Sequence, residues 1–389
     1  MGASSKAMPR DRPAFLDDPA LAAVWDALPG ARVVGGAVRD ALAGLPVADI
    51  DLATPLPPDM ATAALEGRGL RVIPTGLEHG TVTALSGGRA FEVTTLRRDL
   101  ETDGRHAVVA FTDDWAADAA RRDFTINAMS MTRDGGVSDL FGGREDLAVG
   151  RVRFVGDAAQ RIAEDYLRVL RFFRFQARYG RTAPDAPTRA ALAGGVPGLA
   201  QLSPERVWSE LKRILIVPDP APALTLMREL GILPAILPEA AGLSHFAAVV
   251  AAGAPAEALL RLAALVPGPT GAMAARLRLS AAEAQGLLDL RGQVPDEAAS
   301  DAGLRRALAD TAPAILVRRG WLAGRSAAWR ARLEALPRPV FPLQGRDLLA
   351  LGMPPGPAVG QALTALRRAW LDGGCVAGAG DLLAMRPPG

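Results

Sequence analysis

Cysteine is nearly absent: Cys375 stands alone among 389 residues. One thiol builds neither an internal disulfide framework nor a cysteine-based zinc site. Histidine is almost as scarce. His79, His106 and His245 are scattered, which argues against a metal phosphohydrolase domain built on clustered His and Asp. Lysine is missing apart from Lys6 and Lys212, so the basic side chains are nearly all arginine. A GC-rich gene accounts for that bias, although arginine is also the better residue for bidentate phosphate contact and base stacking. A long apolar run is lacking too. The most apolar stretch, residues 246–266, is cut by Pro255, Glu257 and Arg261, so no membrane-spanning helix is expected. The opening MGASSKAMPRDRP has no apolar signal core. The expectation is a cytoplasmic enzyme without membrane association and with no obligate protein partner.

What is present is ordinary globular material: 49% hydrophobic residues, 22% charged, and a formal net charge of only +2. The length allows more than one domain. Short β-rich runs bounded by Gly and Pro predict strands over 32–34, 50–53, 81–85 and 89–95, with helices over 37–43 and 61–67. After about residue 157 the strand signals stop and helical periodicity takes over, punctuated by Pro and Gly turns. The expected order is a small α/β head followed by a long all-helical remainder, with a break near 336.

Within the head, Val33-Val34-Gly35-Gly36 reads as a strand entering a tight turn, and Ala37-Val38-Arg39-Asp40 opens a helix. Paired glycines at a helix N-terminus let backbone N–H groups approach an anion, and Arg39 in the first turn could reach the same anion. Asp49-Ile50-Asp51 follows; in a strand, both carboxylates point to one face. Such a pair repels itself unless a cation lies between, and Mg²⁺ is the obvious candidate. Glu92, in the strand 89–95, could add a third carboxylate. Either feature alone reads equally as a solvated glycine turn or two surface aspartates. The ordered combination G-G-x-V-R-D then D-x-D is far more specific.

Two arginine motifs come next. One is Arg121-Arg122-Asp123-Phe124-Thr125-Ile126-Asn127-Ala128-Met129. The other is Glu164-Asp165-Tyr166-Leu167-Arg168-Val169-Leu170-Arg171-Phe172-Phe173-Arg174-Phe175, whose spacing predicts one helix. Leu167, Leu170, Phe173 and Phe175 supply an apolar face. Asp165, Arg168, Arg171 and Arg174 recur every three residues, a ridge that winds roughly 60° per step. It reads either as a surface of i,i+3 ion pairs or as a track along a bound nucleotide.

Taken together, VVGGAVRD…ADID, RRDFTINAM, EDYLRVLRFFRF, LSPERVWSELKRIL and FPLQGRDLL resemble, in order, the motifs of the class II tRNA nucleotidyltransferase and bacterial poly(A) polymerase family, most closely its CCA-adding enzymes. The resemblance covers roughly residues 30–380. It implies an α+β fold: a small N-terminal nucleotidyltransferase head with a mixed β-sheet and helices, polymerase-beta-like, followed by an all-helical neck, body and tail. The boundaries expected are a loose N-terminal tail over 1–25, the catalytic head over 26–155, a base-recognising neck over 156–217, a body over 218–336 and a tRNA-binding tail over 337–389.

The resemblance also implies roles. Asp49 and Asp51 match the ligands of the catalytic Mg²⁺ ions; Glu92, read from its strand alone, joins them as a candidate catalytic carboxylate. Gly36 and Arg39 match triphosphate and ribose contacts, and Arg122 matches the arginine of the family's R-R-D motif, which also contacts the nucleotide. Asp165 and Arg168 match the pair that reads the incoming base. Cytosine and adenine both offer an amino donor beside a ring-nitrogen acceptor, and guanine and uracil reverse both bonds. Arg171 and Arg174 match further nucleotide contacts, and Glu164 the acid that orients the reading pair. Residues 96–111 match the family's flexible loop, which switches addition from C to A; Arg105-His106-Ala107 departs from the usual pattern, but the length is intact. The implied activity is addition of C, C and A to the tRNA 3′ end from CTP and ATP, without a nucleic-acid template. A poly(A) polymerase typically carries a basic C-terminal extension, and the end Met385-Arg386-Pro387-Pro388-Gly389 is not Lys/Arg-rich. A CC-only or A-only enzyme, and a non-catalytic RNA-binding relative, complete the alternatives. The Gly-rich turns of the tail read either as plain helix caps or as a grip on the tRNA elbow.

Overall fold

The computed structural model describes residues 12–102, 107–240 and 242–385. The chain divides into two compact units: residues 1–214 with 222–236, and residues 215–221 with 237–389.

In the first unit, order begins earlier than the loose tail to residue 25 would have it. A short 3-10 turn, Ala14–Asp17, leads into α1 (Pro19–Ala27). Asp18 caps α1 by accepting from the Ala20 amide at 2.8 Å. Leu21, Val24, Trp25 and Leu28, spaced i, i+3, i+4, i+7, are buried. Trp25 Nε1 donates to the Ala31 carbonyl at 3.0 Å, which pins α1 to the first strand.

The sheet follows. Its strands are β1 (Arg32–Val34), β2 (Leu52–Thr54), β3 (Arg71–Gly76), β4 (Thr81–Ser86) and β5 (Arg89–Thr95). Next, β6 (Arg97–Thr102) and β7 (Ala107–Phe111) pair as a separate antiparallel ribbon, before β8 (Ser130–Met131) and β9 (Val137–Ser138) rejoin the sheet. The seven-stranded order is β3-β4-β5-β2-β1-β8-β9. It is mixed: β2 and β5 run parallel while the other neighbours are antiparallel. The helices of this region are α2 (Gly36–Leu42), α3 (Pro58–Gly67), α4 (Trp115–Ala120) and α5 (Gly143–Val149). The segment expected to be a flexible loop is therefore largely ribbon; its Asp103, Gly104, Arg105 and His106 lie outside the described residues.

Beyond residue 157 the described residues hold helices and turns. The long helix expected over 164–175 is two. Glu164 ends α6 (Ala158–Glu164), Asp165 is extended, and α7 (Leu167–Tyr179) starts afresh. Asp165 Oδ1 accepts from the Leu167 amide at 3.0 Å, so the aspartate serves the new helix as a cap. The apolar face of α7 is buried as its spacing predicts, with Val169, Phe172 and Tyr179 added. Phe124 joins it to the sheet region, its ring 4.8 Å from Phe154 and 5.1 Å from Phe175. Burying each such ring stabilises by about 1.5–3 kcal/mol. α8 (Ala186–Gly194), α9 (Pro204–Leu215), α10 (Ala221–Glu229) and α11 (Ile232–Ile236) follow. The last two, placed in the body by the sequence, pack with the first unit.

The second unit is helical among its described residues. One core gathers Leu304, Leu308, Leu316, Trp329 and Leu333; another gathers Leu343, Leu348, Leu366, Trp370 and Leu382. The break expected near 336 does not divide it. Arg305 Nε donates to the Gly374 carbonyl at 2.9 Å, and Arg367 pairs with Asp310. Among the described residues no helix is long and apolar enough to cross a membrane.

Candidate active site

The site starts at the sheet centre. Val34 N donates to Asp51 O at 2.9 Å, which holds the Asp49–Asp51 segment against β1. Asp49 and Asp51 precede β2 rather than lying in it, but the strand alternation persists: Ile50 is buried, while both aspartates reach solvent and Asp51 is partly enclosed at its carboxyl. The parallel register Leu52↔Val93 sets Asp51 level with Glu92 on the neighbouring strand. The three carboxylates therefore share one region. Partial burial, then the charges of Glu92 and Asp49, push the Asp51 carboxyl above its ordinary value; Arg122 opposes them.

That crowding is what a cation would relieve. Among the described residues no group of three or more His, Cys, Asp or Glu is arranged to hold a metal ion. Mg²⁺, however, commonly takes one or two carboxylates and completes its shell with water and substrate phosphates. Asp49 and Asp51 fit that smaller donor set.

The glycine turn sits beside them. Gly35 has φ +65° and Gly36 begins α2. A side chain at Gly35 is strained by that φ, and its Cβ would lie 3.0 Å from Arg122 NH1. Arg122 NH1 donates to the Asn127 carbonyl at 3.4 Å and NH2 to Asp118 Oδ2 at 3.1 Å. Arg39 is buried, 8% exposed, rather than reaching freely toward an anion. Its Nε donates to Asp40 Oδ1 at 2.9 Å and its NH1 to Asn127 Oδ1 at 2.6 Å. Its guanidinium also lies over the Tyr179 and Phe175 rings, at 4.6 and 5.1 Å.

The neck residues are individually held. Asp165 Oδ2 accepts from Arg206 NH2 at 2.8 Å. Arg168 NH1 donates to Glu164 Oε2 at 2.5 Å and to the Arg161 carbonyl at 2.6 Å. Arg171 Nε donates to Asp123 Oδ2 at 2.7 Å. Asp123 is buried; burial pushes its carboxyl up, but Arg171, Asn127 and the Phe124 amide outweigh this and hold it below the ordinary range. Arg174 Nε lies 2.8 Å from Glu210 Oε2, and burial brings its guanidinium down to about 10 despite that charge. The ridge expected from the three-residue spacing is thus not a single track. Asp165 is off the helix, and the arginines turn to three different carboxylates.

The structure adds Asp118, Asp123, Asn127, Arg206 and Glu210 as partners that sequence reasoning passed over. Asp118, Asp123 and Asn127 lie in or beside the R-R-D motif, and an acid at i−4 from Arg122 is a readable signal. Nothing in local spacing marks Glu210 or Arg206, which arrive from α9.

Known proteins resemble this chain in sequence and in fold. The family description "Poly A polymerase head domain" matches residues 31–153, and "Probable RNA and SrmB- binding site of polymerase A" matches residues 183–243. The Homo sapiens CCA tRNA nucleotidyltransferase 1, mitochondrial, is 48% identical over 222 residues, covering 55% of this chain and 50% of its own. The Geobacillus stearothermophilus CCA-adding enzyme is 41% identical over 215 residues, 54% of this chain and 52% of its own. The chain thus spans about half the length of the curated relatives it matches. Among solved structures, the Bacillus stearothermophilus CCA-adding enzyme in complex with CTP aligns with TM-score 0.75 and 30% identity, covering 91% of this chain and 93% of that one. A Thermotoga maritima CCA-adding enzyme complexed with tRNA shares the fold at TM-score 0.66 and 19% identity, covering 91% and 90%. With the 30% identity to the Bacillus stearothermophilus enzyme over 93% of its length added to the motifs, the chain belongs to the class II CCA-adding enzyme family.

Proposed function

We propose that this chain is a CCA tRNA nucleotidyltransferase, adding C, C and A to the tRNA 3′ end from CTP and ATP without a template and releasing pyrophosphate. One observation carries the reading. A crowded carboxylate cluster, Asp49, Asp51 and Glu92, occurs in the same compact unit as an aspartate and an arginine, Asp165 and Arg168, each fixed by its own partner. The first is a bond-making site; the second is a base reader. The relatives named for CCA addition support the same reading.

Asp49 and Asp51 would hold Mg²⁺, which supplies charge to activate the 3′-hydroxyl and to stabilise the departing pyrophosphate. Glu92 adds to the negative field that attracts the cation. The Gly36 amide and Arg122 bind the triphosphate, and Arg39 fixes the turn from behind while lending it positive charge. Asp165 accepts from the exocyclic amine of cytosine or adenine while Arg168 donates to the ring nitrogen. A well-made bidentate pair discriminates by roughly 1–3 kcal/mol. Arg171 and Arg174, held by Asp123 and Glu210, supply further nucleotide contacts. A cytoplasmic location belongs to this proposal, and cell fractionation tests it.

The assay uses tRNA transcripts ending before CCA or ending in CC, with Mg²⁺ and CTP, ATP or both. The expected result is two C additions, one A addition and a stop. Runs of A on arbitrary RNA indicate a poly(A) polymerase instead. Addition of only CC, or only A, indicates a partial enzyme.

A further inference from the structure

Asp118 has no role in the proposed reaction, yet it is among the most enclosed carboxylates of the first unit. Its side chain, in α4, is 5% exposed. Oδ1 accepts from Arg121 Nε at 3.0 Å and from the Arg97 backbone amide at 3.4 Å. Oδ2 accepts from Arg122 NH2 at 3.1 Å. Arg97 is the first residue of the β6–β7 ribbon. One carboxylate therefore ties the root of the ribbon to both arginines of the R-R-D motif.

The far end of Arg122 shows what this bond does. With NH2 on Asp118, NH1 lies at the Asn127 carbonyl and against the Gly35 turn. A free arginine side chain loses rotamer entropy when it is fixed. Holding the guanidinium before a nucleotide arrives removes that cost from binding. Burial pushes the Asp118 carboxyl up, but the charges and hydrogen bonds of Arg121 and Arg122 more than reverse it. The group is thus an anion at neutral pH.

We propose that Asp118 is a positioning residue, which aims Arg122 at the glycine turn and links that aim to the root of the β6–β7 ribbon. This rests on the nucleotidyltransferase reading, in which Arg122 touches the nucleotide. Arg122 makes no contact with the base in that reading, so CTP and ATP are affected alike.

The test is a double-mutant cycle on equilibrium affinity. Dissociation constants for CTP and for ATP, each with Mg²⁺, are measured by calorimetry for the wild-type chain, Asp118→Asn, Arg122→Gln and the double variant. Addition to tRNA by the wild-type chain is assayed in parallel. Asp118→Asn is expected to weaken both nucleotides about tenfold and to add nothing once Arg122 is glutamine. Unchanged affinity, or an equal loss in both backgrounds, overturns the proposal, since a purely structural aspartate acts regardless of Arg122. If the cycle behaves as expected while the wild-type chain adds no nucleotide, the enzymatic reading fails and the positioning role stands. If Asp118→Asn does not fold, Asp118→Glu takes its place. It keeps the charge but displaces the carboxylate by one methylene, and the same dependence on Arg122 decides.

Discussion

Arg206 donates from NH2 to the Oδ2 of Asp165 at 2.8 Å. The bond joins the first turn of α9 to the break between α6 and α7. The other oxygen of Asp165 is already held by the Leu167 amide, so the carboxylate plane is fixed from two sides. A carboxylate has about four acceptor sites, which leaves room for a base amine. Arg206→Ala should therefore loosen base choice more than it slows chemistry. The ratio of kcat/KM for CTP over UTP is expected to fall about tenfold, roughly half of what a bidentate pair supplies. An unchanged ratio would reduce Arg206 to helix packing.

Such partnerships mark the boundary of what the sequence makes legible. β5 is readable to both ends, Arg89–Thr95, because its β-rich run is bounded by Gly87-Gly88. The register that brings Glu92 to Asp51 is not, since it depends on β2 and β5 pairing parallel across a crossover. α1 is hidden by its position after a polar tail, although the spacing of Leu21, Val24, Trp25 and Leu28 carries the signal. The break at Asp165 is masked because helical periodicity continues across it from Ile162 to Tyr166 and on to Val169 and Leu170. Only the capping chemistry of aspartate hints at a new start. The motif residues are readable as a set; which carboxylate holds which arginine is decided by α9 and α4 packing.

Asp51 should show a conflict between function and stability. Burial and the neighbouring Glu92 and Asp49 disfavour its charge. Asp51→Asn removes that charge and should raise the melting midpoint of the metal-free protein by a few degrees. The same change should cut nucleotide addition by at least about a hundredfold, since a catalytic metal is worth several kcal/mol. Adding Mg²⁺ with CTP should raise the midpoint of the wild-type chain and leave the variant nearly unmoved. A variant that melts lower without ligand would contradict the crowding argument.

Asp123 behaves oppositely. Its folded-state pKa lies below the ordinary value of 3.8 because Arg171 and its hydrogen bonds outweigh burial. The unfolded chain therefore binds the proton more readily, and stability rises with pH through that window. The contribution is complete above the ordinary aspartate value and is lost as pH falls through the folded one. Denaturant unfolding between about pH 5 and pH 2 should show a steeper acid loss for the wild-type chain than for Asp123→Asn. At neutral pH the variant should be less stable by about 3–5 kcal/mol, because Arg171 is left without its charge partner.

Gly143 tests how tightly α5 must approach the R-R-D segment. A Cβ there would lie 2.2 Å from the Thr125 carbonyl oxygen, which is backbone and cannot step aside. Thr125 is further anchored through its hydroxyl to Asp146 at 2.5 Å, and Asp146 is fully buried between Arg151 and Arg153. Gly143→Ala must then move α5 or the Thr125–Asn127 turn, at a cost of about 1–3 kcal/mol. Asn127 Oδ1 holds Arg39 NH1, so movement of the turn reaches the glycine loop as well. The expected outcome is a lower melting midpoint together with weaker nucleotide binding. Gly67→Ala, at the end of α3 with open space around its Cβ, supplies the contrast. It should leave binding unchanged and raise stability by about 0.4–1 kcal/mol. Equal behaviour of the two variants would mean that close approach at Gly143 is not what positions the turn.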